Sequence, residues 1–422
     1  MQLAIIGGGP AGLSAAIRAR EKGIKDVWVI ERNATLGGIL NQCIHHGFGI
    51  HIYKEELTGP EYAQRLIDRA VELGVHFALG TMVTGLSRER IVTYVSPKGT
   101  VQAQAGAVIL AMGCRERARG AVGIPGGRGV GVYTAGTAQA LVNMKGILPG
   151  KRVVILGSGD IGLIMARRMT LEGAKVLGVY EIMPHSGGLK RNIAQCLNDY
   201  GIPLHLSHTV TRTVGCARLE GVYVAPVDET FTPDLTQERF IECDTLLLSV
   251  GLIPENELAR SIGVLMSPAT GGALVNNRLE TNIPGVFACG NALHVHDLVD
   301  YVTMEAYEAA ENAVAFIAAQ TSIVSSTDLS DAPQPIPVTP LRGVRYVVPA
   351  SIIPDGSRTT YTLSFRSDGV YSPATVEVLA DGKVIRSTVQ RRVIVPSEME
   401  RVRIVLPEAT KEIGVTIRGV LC

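Results

Sequence analysis

The chain has 422 residues, enough for two or three domains, and 47 of them are glycine. Its 40 basic and 39 acidic residues leave a formal charge of +1, which excludes a nucleic-acid-binding or polybasic membrane-binding character. No apolar run reaches the ~18 residues of a transmembrane span.

Met1 to Ile6 (MQLAII) is an apolar run that reads as a buried parallel strand. It begins at the first residue, which leaves no room for a signal peptide, so a cytoplasmic protein is expected. The turn Gly7-x-Gly9-Pro10-x-Gly12 follows, with Pro10 where a helix needs no N–H. A helix is predicted over Ala11 to Lys22, stopped by Gly23, and then a strand over Val27 to Ile30. Glu31 comes 19 residues after Gly12, the spacing of a carboxylate that accepts from a ribose hydroxyl. The glycines permit a tight turn and close approach of a pyrophosphate, which the positive end of the helix faces. Gly37-Gly38 closes this first pattern, and Cys43, His45 and His46 lie just beyond. Ligands this tightly spaced rarely converge on a metal, and no metal site is expected. Ala107 to Gly113 (AVILAMG) is a second apolar strand ending in glycine.

The whole fingerprint then recurs with 150 added to every number. Strand Arg152 to Leu156 leads into Gly157-x-Gly159-Asp160-x-Gly162, a helix over Ile161 to Leu171, Gly173, strand Lys175 to Tyr180, Glu181 and Gly187-Gly188. A carboxylate at Glu181 would repel the 2′-phosphate of NADP, so NAD is expected there. Lys190 and Arg191 read equally well as phosphate contacts or as solvated charge. The plain alternative for either copy is a glycine-rich turn with no ligand, and a Rossmann unit can outlive its nucleotide. Two adenine dinucleotide sites on one chain point to electrons passing between two cofactors.

Thr245 to Gly251 (TLLLSVG) matches the strand at Ala107, and Thr281 to Asn291 carries a short strand, Val286 to Ala288, into a Gly290 turn. His294, His296 and Asp297 follow at a helix start, where capping is the ordinary role. A helix is predicted over Val302 to Gln320, an extended linker over Thr321 to Pro340, and a small antiparallel β domain over residues 341–422. Within it, Asp381-Gly382 is a hairpin signal, and Val402, Ile404 and Leu406 alternate with Arg401, Arg403 and Val405.

These motifs, with GGILNQCIHHGFG (Gly37 to Gly49), LAMGCRERARG (Leu110 to Gly120) and GNALHVHDLVD (Gly290 to Asp300), resemble the two-dinucleotide-binding-domain flavoproteins, the pyridine nucleotide-disulphide oxidoreductase-like class. Within it the chain resembles the bacterial subgroup without the redox disulfide that accompanies glycerol-3-phosphate dehydrogenase-like or 2-hydroxyglutarate oxidase-like proteins. More distantly it is similar to the α subunits of opine oxidase and of multimeric proline dehydrogenases. The seven cysteines show neither CxxC nor CxxxxC spacing, in keeping with electron transfer that uses no dithiol relay.

The resemblance implies an α/β fold with two Rossmann-like domains plus the C-terminal antiparallel β domain. It places a flavin domain over residues 1–113 and 246–320, with an NAD domain, residues 114–245, inserted into it. FAD would lie on Gly7, Gly9, Pro10, Gly12, Glu31 and Arg32, with Gly38, Gln42, Ala111 and Gly113 beside it. Gly290 and Asn291 would form the second flavin motif, where an aspartate is usual and the neutral Asn291 is a departure. NAD would lie on Gly157, Gly159, Asp160, Gly162, Glu181 and Gly251. No catalytic residue is assigned. Cys43 and His45 are candidates near the flavin for tuning its potential or shuttling a proton, against ordinary loop packing, and His294 is a candidate donor to the reduced flavin, against plain helix capping by His296 or Asp297. Hydride transfer between NAD(H) and FAD, with a partner dehydrogenase subunit in a homo- or hetero-oligomer, is the expected function. A self-sufficient NADH oxidase or quinone reductase, and a nucleotide-binding structural subunit, are the alternatives.

Overall fold

The structure is a computed structural model that describes residues 1–322, 334–354, 356 and 360–421. It divides into two units, Met1–Cys114 with Pro254–Cys422, and Arg115–Ile253.

In the first unit, four-residue apolar runs make the centre of a parallel sheet. Leu3–Ile6, Val27–Ile30 and Ala107–Leu110 are buried almost throughout, as strands covered on both faces must be. Each fully buried aliphatic side chain there contributes about 1.5–3 kcal/mol. The order across the sheet is Val286–Ala288, Ala107–Leu110, Leu3–Ile6, Val27–Ile30, His76–Ala78, with every pair parallel. The second unit repeats the last four places with Thr245–Leu248, Arg152–Leu156, Lys175–Glu181 and Leu204–Leu206, while its edge strand, Val132–Thr134, precedes the fingerprint strand in the chain instead of coming last. Each unit adds a three-stranded antiparallel meander, Met82–Leu86 to Gly99–Gln104 in the first and His208–Val214 to Arg239–Glu242 in the second. Residues 246–320 are expected from sequence to join the first domain as a block. Thr245–Leu248 instead pairs with Arg152–Leu156, so residues 246–253 go with the second unit.

The two fingerprint helices are Pro10–Glu21 and Asp160–Leu171, and both end on a backbone turn closed by the glycine after the cap. Helix Val299–Ser322 begins three residues earlier than the sequence suggests. No helix among the described residues is long and apolar enough to cross a membrane.

The C-terminal region is a β-sandwich. Its five-stranded sheet runs Ser351–Ile352, Ile336–Pro340, Ile413–Leu421, Tyr371–Ala380, Lys383–Ser387, and its second sheet runs Val344–Val348, Tyr361–Ser367, Glu400–Ile404. The hairpin at Asp381-Gly382 forms, both residues at positive φ (49° and 78°) as a primed turn requires. Two details depart from the expectation. Ile336–Pro340, assigned to a linker, is a paired strand, and it runs parallel to Ile413–Leu421. Residues 323–333 of that expected linker, and Cys422, lie outside the described residues.

Candidate functional site

The first cradle is built from backbone. Gly9 caps helix Pro10–Glu21 with no side-chain hydrogen bond, so the first-turn N–H groups are left facing outward. A Cβ at Gly12 would lie 1.8 Å from the Gly7 carbonyl oxygen, and one at Gly7 would lie 2.4 Å from that of Ala111. Only glycine lets the helix start, the turn and the strand at Ala107 approach this closely. The next turn is close as well, since a Cβ on Gly38 would lie 2.9 Å from the Gly9 Cα. Glu31 is buried at the lip of the cradle. Its Oε2 accepts from the Gly8 N–H (2.7 Å) and its Oε1 from the Asn33 N–H (2.8 Å). That fixes the carboxylate and leaves each oxygen a further acceptor position.

The second cradle copies this bond for bond. The Gly7 N–H donates to Ile30 O at 2.9 Å, and the Gly157 N–H to Tyr180 O at 2.7 Å. The Ser158 N–H donates to Glu181 Oε2 (2.8 Å) and the Met183 N–H to Glu181 Oε1 (3.0 Å). All these partners keep the 150-residue offset. Three differences stand out. Ser158 replaces Gly8, and its hydroxyl both donates to Glu181 (2.7 Å) and accepts from the Gly187 N–H (2.9 Å). Asp160 opens the helix and binds the following loop through the Leu189 N–H (2.8 Å) and Asn192 Nδ2 (2.6 Å). Gly162 is less confined than Gly12, with a Cβ there 2.7 Å from the Ser249 Cβ and 2.9 Å from Gly157 O. Beside Gly113 and Gly251, at the carboxyl ends of matching strands, nothing among the described residues lies within 4 Å of an added Cβ. Parallel α/β sheets receive ligands at that end.

Of the other residues singled out by sequence, Arg32, Lys190 and Arg191 are exposed. Gln42 ends the short helix Gly38–Gln42. Cys43 sits just after it, its Sγ 3.3 Å from Ile39 O, and burial pushes its thiol up to about 12. A thiol held protonated in this way is a poor nucleophile. His45 stacks near Phe48, 5.0 Å between rings, and its Nδ1 lies 3.1 Å from His46 O.

The turn at Gly290 is held from behind. Glu305, from helix Val299–Ser322, accepts the Gly290 N–H (2.7 Å) through Oε1. Asn291 Oδ1 accepts the His296 N–H (3.0 Å), and its Nδ2 lies 3.7 Å from Cys114 Sγ. His294, considered as a donor near the flavin, is fully buried and commits its Nε2 to Glu305 Oε2 at 2.7 Å. Nor do His296 and Asp297 cap the helix. His296 Nε2 meets Glu305 Oε1 at 3.1 Å, and Asp297 takes Arg366 and the Met399 N–H of the C-terminal sandwich. Burial, opposed by Glu305, pulls the His294 pKa below the usual value for histidine. Burial also works against charge on Glu305, but the two imidazoles outweigh it and hold the carboxyl well below the usual carboxylate range. Sequence reasoning missed Glu305 and Arg366. The faint signal for Glu305 was an acidic residue nine positions beyond His-x-His, in the second turn of an otherwise Ala-rich helix.

A family model described as pyridine nucleotide-disulphide oxidoreductase matches residues 1–315. The HcnB subunit of hydrogen cyanide synthase from Pseudomonas protegens is 28% identical over 281 residues, covering 62% of this chain and 58% of that protein. Thioredoxin reductase of Listeria innocua is 25% identical over 294 residues, covering 68% of this chain and 84% of its own. An opine oxidase subunit from Agrobacterium tumefaciens is 26% identical over 277 residues, covering 62% and 54%. The chain thus spans little more than half the length of the two relatives described as subunits. Among solved structures, T. acidophilum thioredoxin reductase superposes with a TM-score of 0.62 at 23% identity, over 74% of this chain and 97% of that one, a likeness of fold.

Proposed function

The chain belongs to the pyridine nucleotide-disulphide oxidoreductase family, whose members bind FAD and NAD(P)H, and on that premise we propose that it moves a hydride between NAD(H) and FAD and exchanges electrons with a partner dehydrogenase. The observation that carries this reading is the doubled cradle, repeated hydrogen bond for hydrogen bond at a fixed offset. One cradle suits a resident dinucleotide and the other an exchanging one. The Gly290 motif lies in the same unit as the first cradle and supports FAD there, with NAD at the second.

When bound, nicotinamide and isoalloxazine supply the hydride donor and acceptor. The chain's own residues bind and orient. The N–H groups at the two helix starts take pyrophosphate oxygens. Glu31 and Glu181 accept from ribose hydroxyls, and the charge of Glu181 disfavours a 2′-phosphate. Glu305 holds the Gly290 turn in place. Hydride transfer rewards placement and needs no acid or base from the protein, which agrees with a protonated Cys43 and an engaged His294.

The absence of CxxC and CxxxxC spacings supports transfer without a dithiol relay. HcnB and the opine oxidase relative are both described as subunits, which supports a multisubunit setting. A glycerol-3-phosphate dehydrogenase-like flavoprotein is the proposed partner, on sequence resemblance. Asp160 in the first turn of the second helix sets a negative charge where phosphate would lie and favours one competing reading, a structural subunit whose second Rossmann unit has lost its nucleotide. Anaerobic addition of NADH separates the two. The purified, FAD-loaded chain should lose its flavin absorption in the hydride-transfer reading, and intact absorption would leave the structural one.

A further inference from the structure

Behind the Gly290 turn, three side chains form a cluster that hydride transfer does not use. His294 and His296 come from the loop before helix Val299–Ser322, and Glu305 from its second turn. Both Nε2 atoms meet the one carboxylate, at 2.7 and 3.1 Å. The side chains are 0%, 1% and 10% exposed, and the rings lie edge to face with centroids 4.4 Å apart. Neither Nδ1 atom has a hydrogen-bond partner among the described residues.

We infer that His294, His296 and Glu305 form a binding site for one divalent first-row transition-metal ion, ligated by the two Nε2 atoms and a carboxylate oxygen. Two imidazoles and a carboxylate are the donor set of Zn²⁺ and Fe²⁺, not of the hard cations Mg²⁺ and Ca²⁺. One donor atom from each residue lies within 4.8 Å of the other two. Bonds of about 2.0–2.2 Å at tetrahedral or octahedral angles set neighbouring donor atoms roughly 3 Å apart, which the two histidine–carboxylate spacings already approach.

The carboxylate is held in place as metal-site carboxylates are, since Gly290 donates its N–H to Oε1 at 2.7 Å. Two guanidiniums bear on the cluster, Arg401 on Glu305 and Arg366 on His294. Arg366, the guanidinium that bears on His294, is engaged by Asp297 and by Val295 O (3.0 Å). Arg401 lies over the Tyr301 ring at 3.7 Å. Tyr346 closes over the His294 ring edge to face, 6.0 Å away, and Cys289 lies buried nearby on the strand side. With or without an ion, both imidazoles bury an Nδ1 that has no hydrogen-bond partner among the described residues, at about 1–3 kcal/mol apiece. Two coordinate bonds are strong enough to offset that cost. The ion would pin the Gly290 turn to helix Val299–Ser322. The inference does not depend on which cofactor the first cradle takes.

The test uses the full chain, purified without metal-affinity resin and exposed to Zn²⁺, Fe²⁺ or Co²⁺ before gel filtration. Elemental analysis should find one ion per chain. X-ray absorption should show nitrogen and oxygen ligands with imidazole scattering and no sulfur, and bound Co²⁺ should give visible ligand-field bands. The double variant His294→Gln/His296→Gln, and separately Glu305→Gln, should hold at least tenfold less metal. A wild-type chain that takes up no ion, an ion ligated by sulfur, or full metal content in a folded variant would each overturn the proposal. Should the variants fail to fold, the wild-type metal content and ligand scattering decide alone.

Discussion

Replacing Glu181 by glutamine changes one atom, and the structure says what that atom does. Oε2 accepts two donors, the Ser158 N–H at 2.8 Å and the Ser158 hydroxyl at 2.7 Å, while Oε1 accepts the Met183 N–H at 3.0 Å. A carboxylate offers about four acceptor positions, so one is left for a ribose hydroxyl. The amide of Glu181→Gln keeps its oxygen towards Ser158, where two donors wait, and turns its NH2 towards Met183 and the ribose. The Met183 N–H then loses its partner, at about 1–3 kcal/mol of stability. The nucleotide loses a charge-assisted hydrogen bond, about 1.5–3 kcal/mol, or roughly 10- to 150-fold in affinity. NADPH, which gains no such bond and suffers from the charge, should bind no worse or better. The assay is the NADH and NADPH concentration dependence of anaerobic flavin reduction. The variant should need at least tenfold more NADH, narrow the NADH-over-NADPH preference, and keep its flavin, because Glu31 is untouched. An unchanged NADH requirement and preference in a folded variant would refute a ribose-binding Glu181.

Three further outcomes follow from the same geometry. Gly12→Ala must displace backbone of the first cradle, its Cβ being 1.8 Å from Gly7 O, whereas Gly162→Ala presses less hard, on Ser249 and Gly157 O of the second; flavin content after gel filtration should collapse in the first and persist in the second. Asp297→Asn strands the half-buried Arg366 and weakens the hold on Met399, a loss on the order of 3 kcal/mol; hydrogen exchange in residues 360–421 should quicken, and unchanged exchange would contradict the bond's role. The Cys43 thiol, raised from 9.0 to about 12 by burial, should resist alkylation at pH 8. Its burial stabilises the fold fully below pH 9, and that contribution is lost as pH rises through about 12, so rapid labelling at neutral pH would show the burial to be wrong.

The cradles were legible because their physics is local. Gly12 must be glycine for a clash with Gly7, five residues away, and Glu31 ends the strand that follows their helix. An all-apolar strand carries no mark of its neighbours, so Thr245–Leu248 could be recognised as a strand but not assigned to its sheet. Pro337 and Pro340 argued for a linker, since proline is rare inside a sheet, yet Ile336–Pro340 is paired on both sides. The role of His294 was illegible for a different reason. Its partner Glu305 and its cover Tyr346 come from other elements, and Asp297 is claimed by Arg366, 69 residues on. Capping and a flavin contact were equal local readings of this loop, whose side chains instead take tertiary partners.

The central claim is that one chain holds two separate dinucleotide sites. Equilibrium dialysis of the FAD-loaded chain against labelled NAD tests it most directly. One NAD bound per chain with all FAD retained, and competition by ADP-ribose, is the predicted result. NAD that binds only by displacing FAD, or does not bind at all, would contradict it.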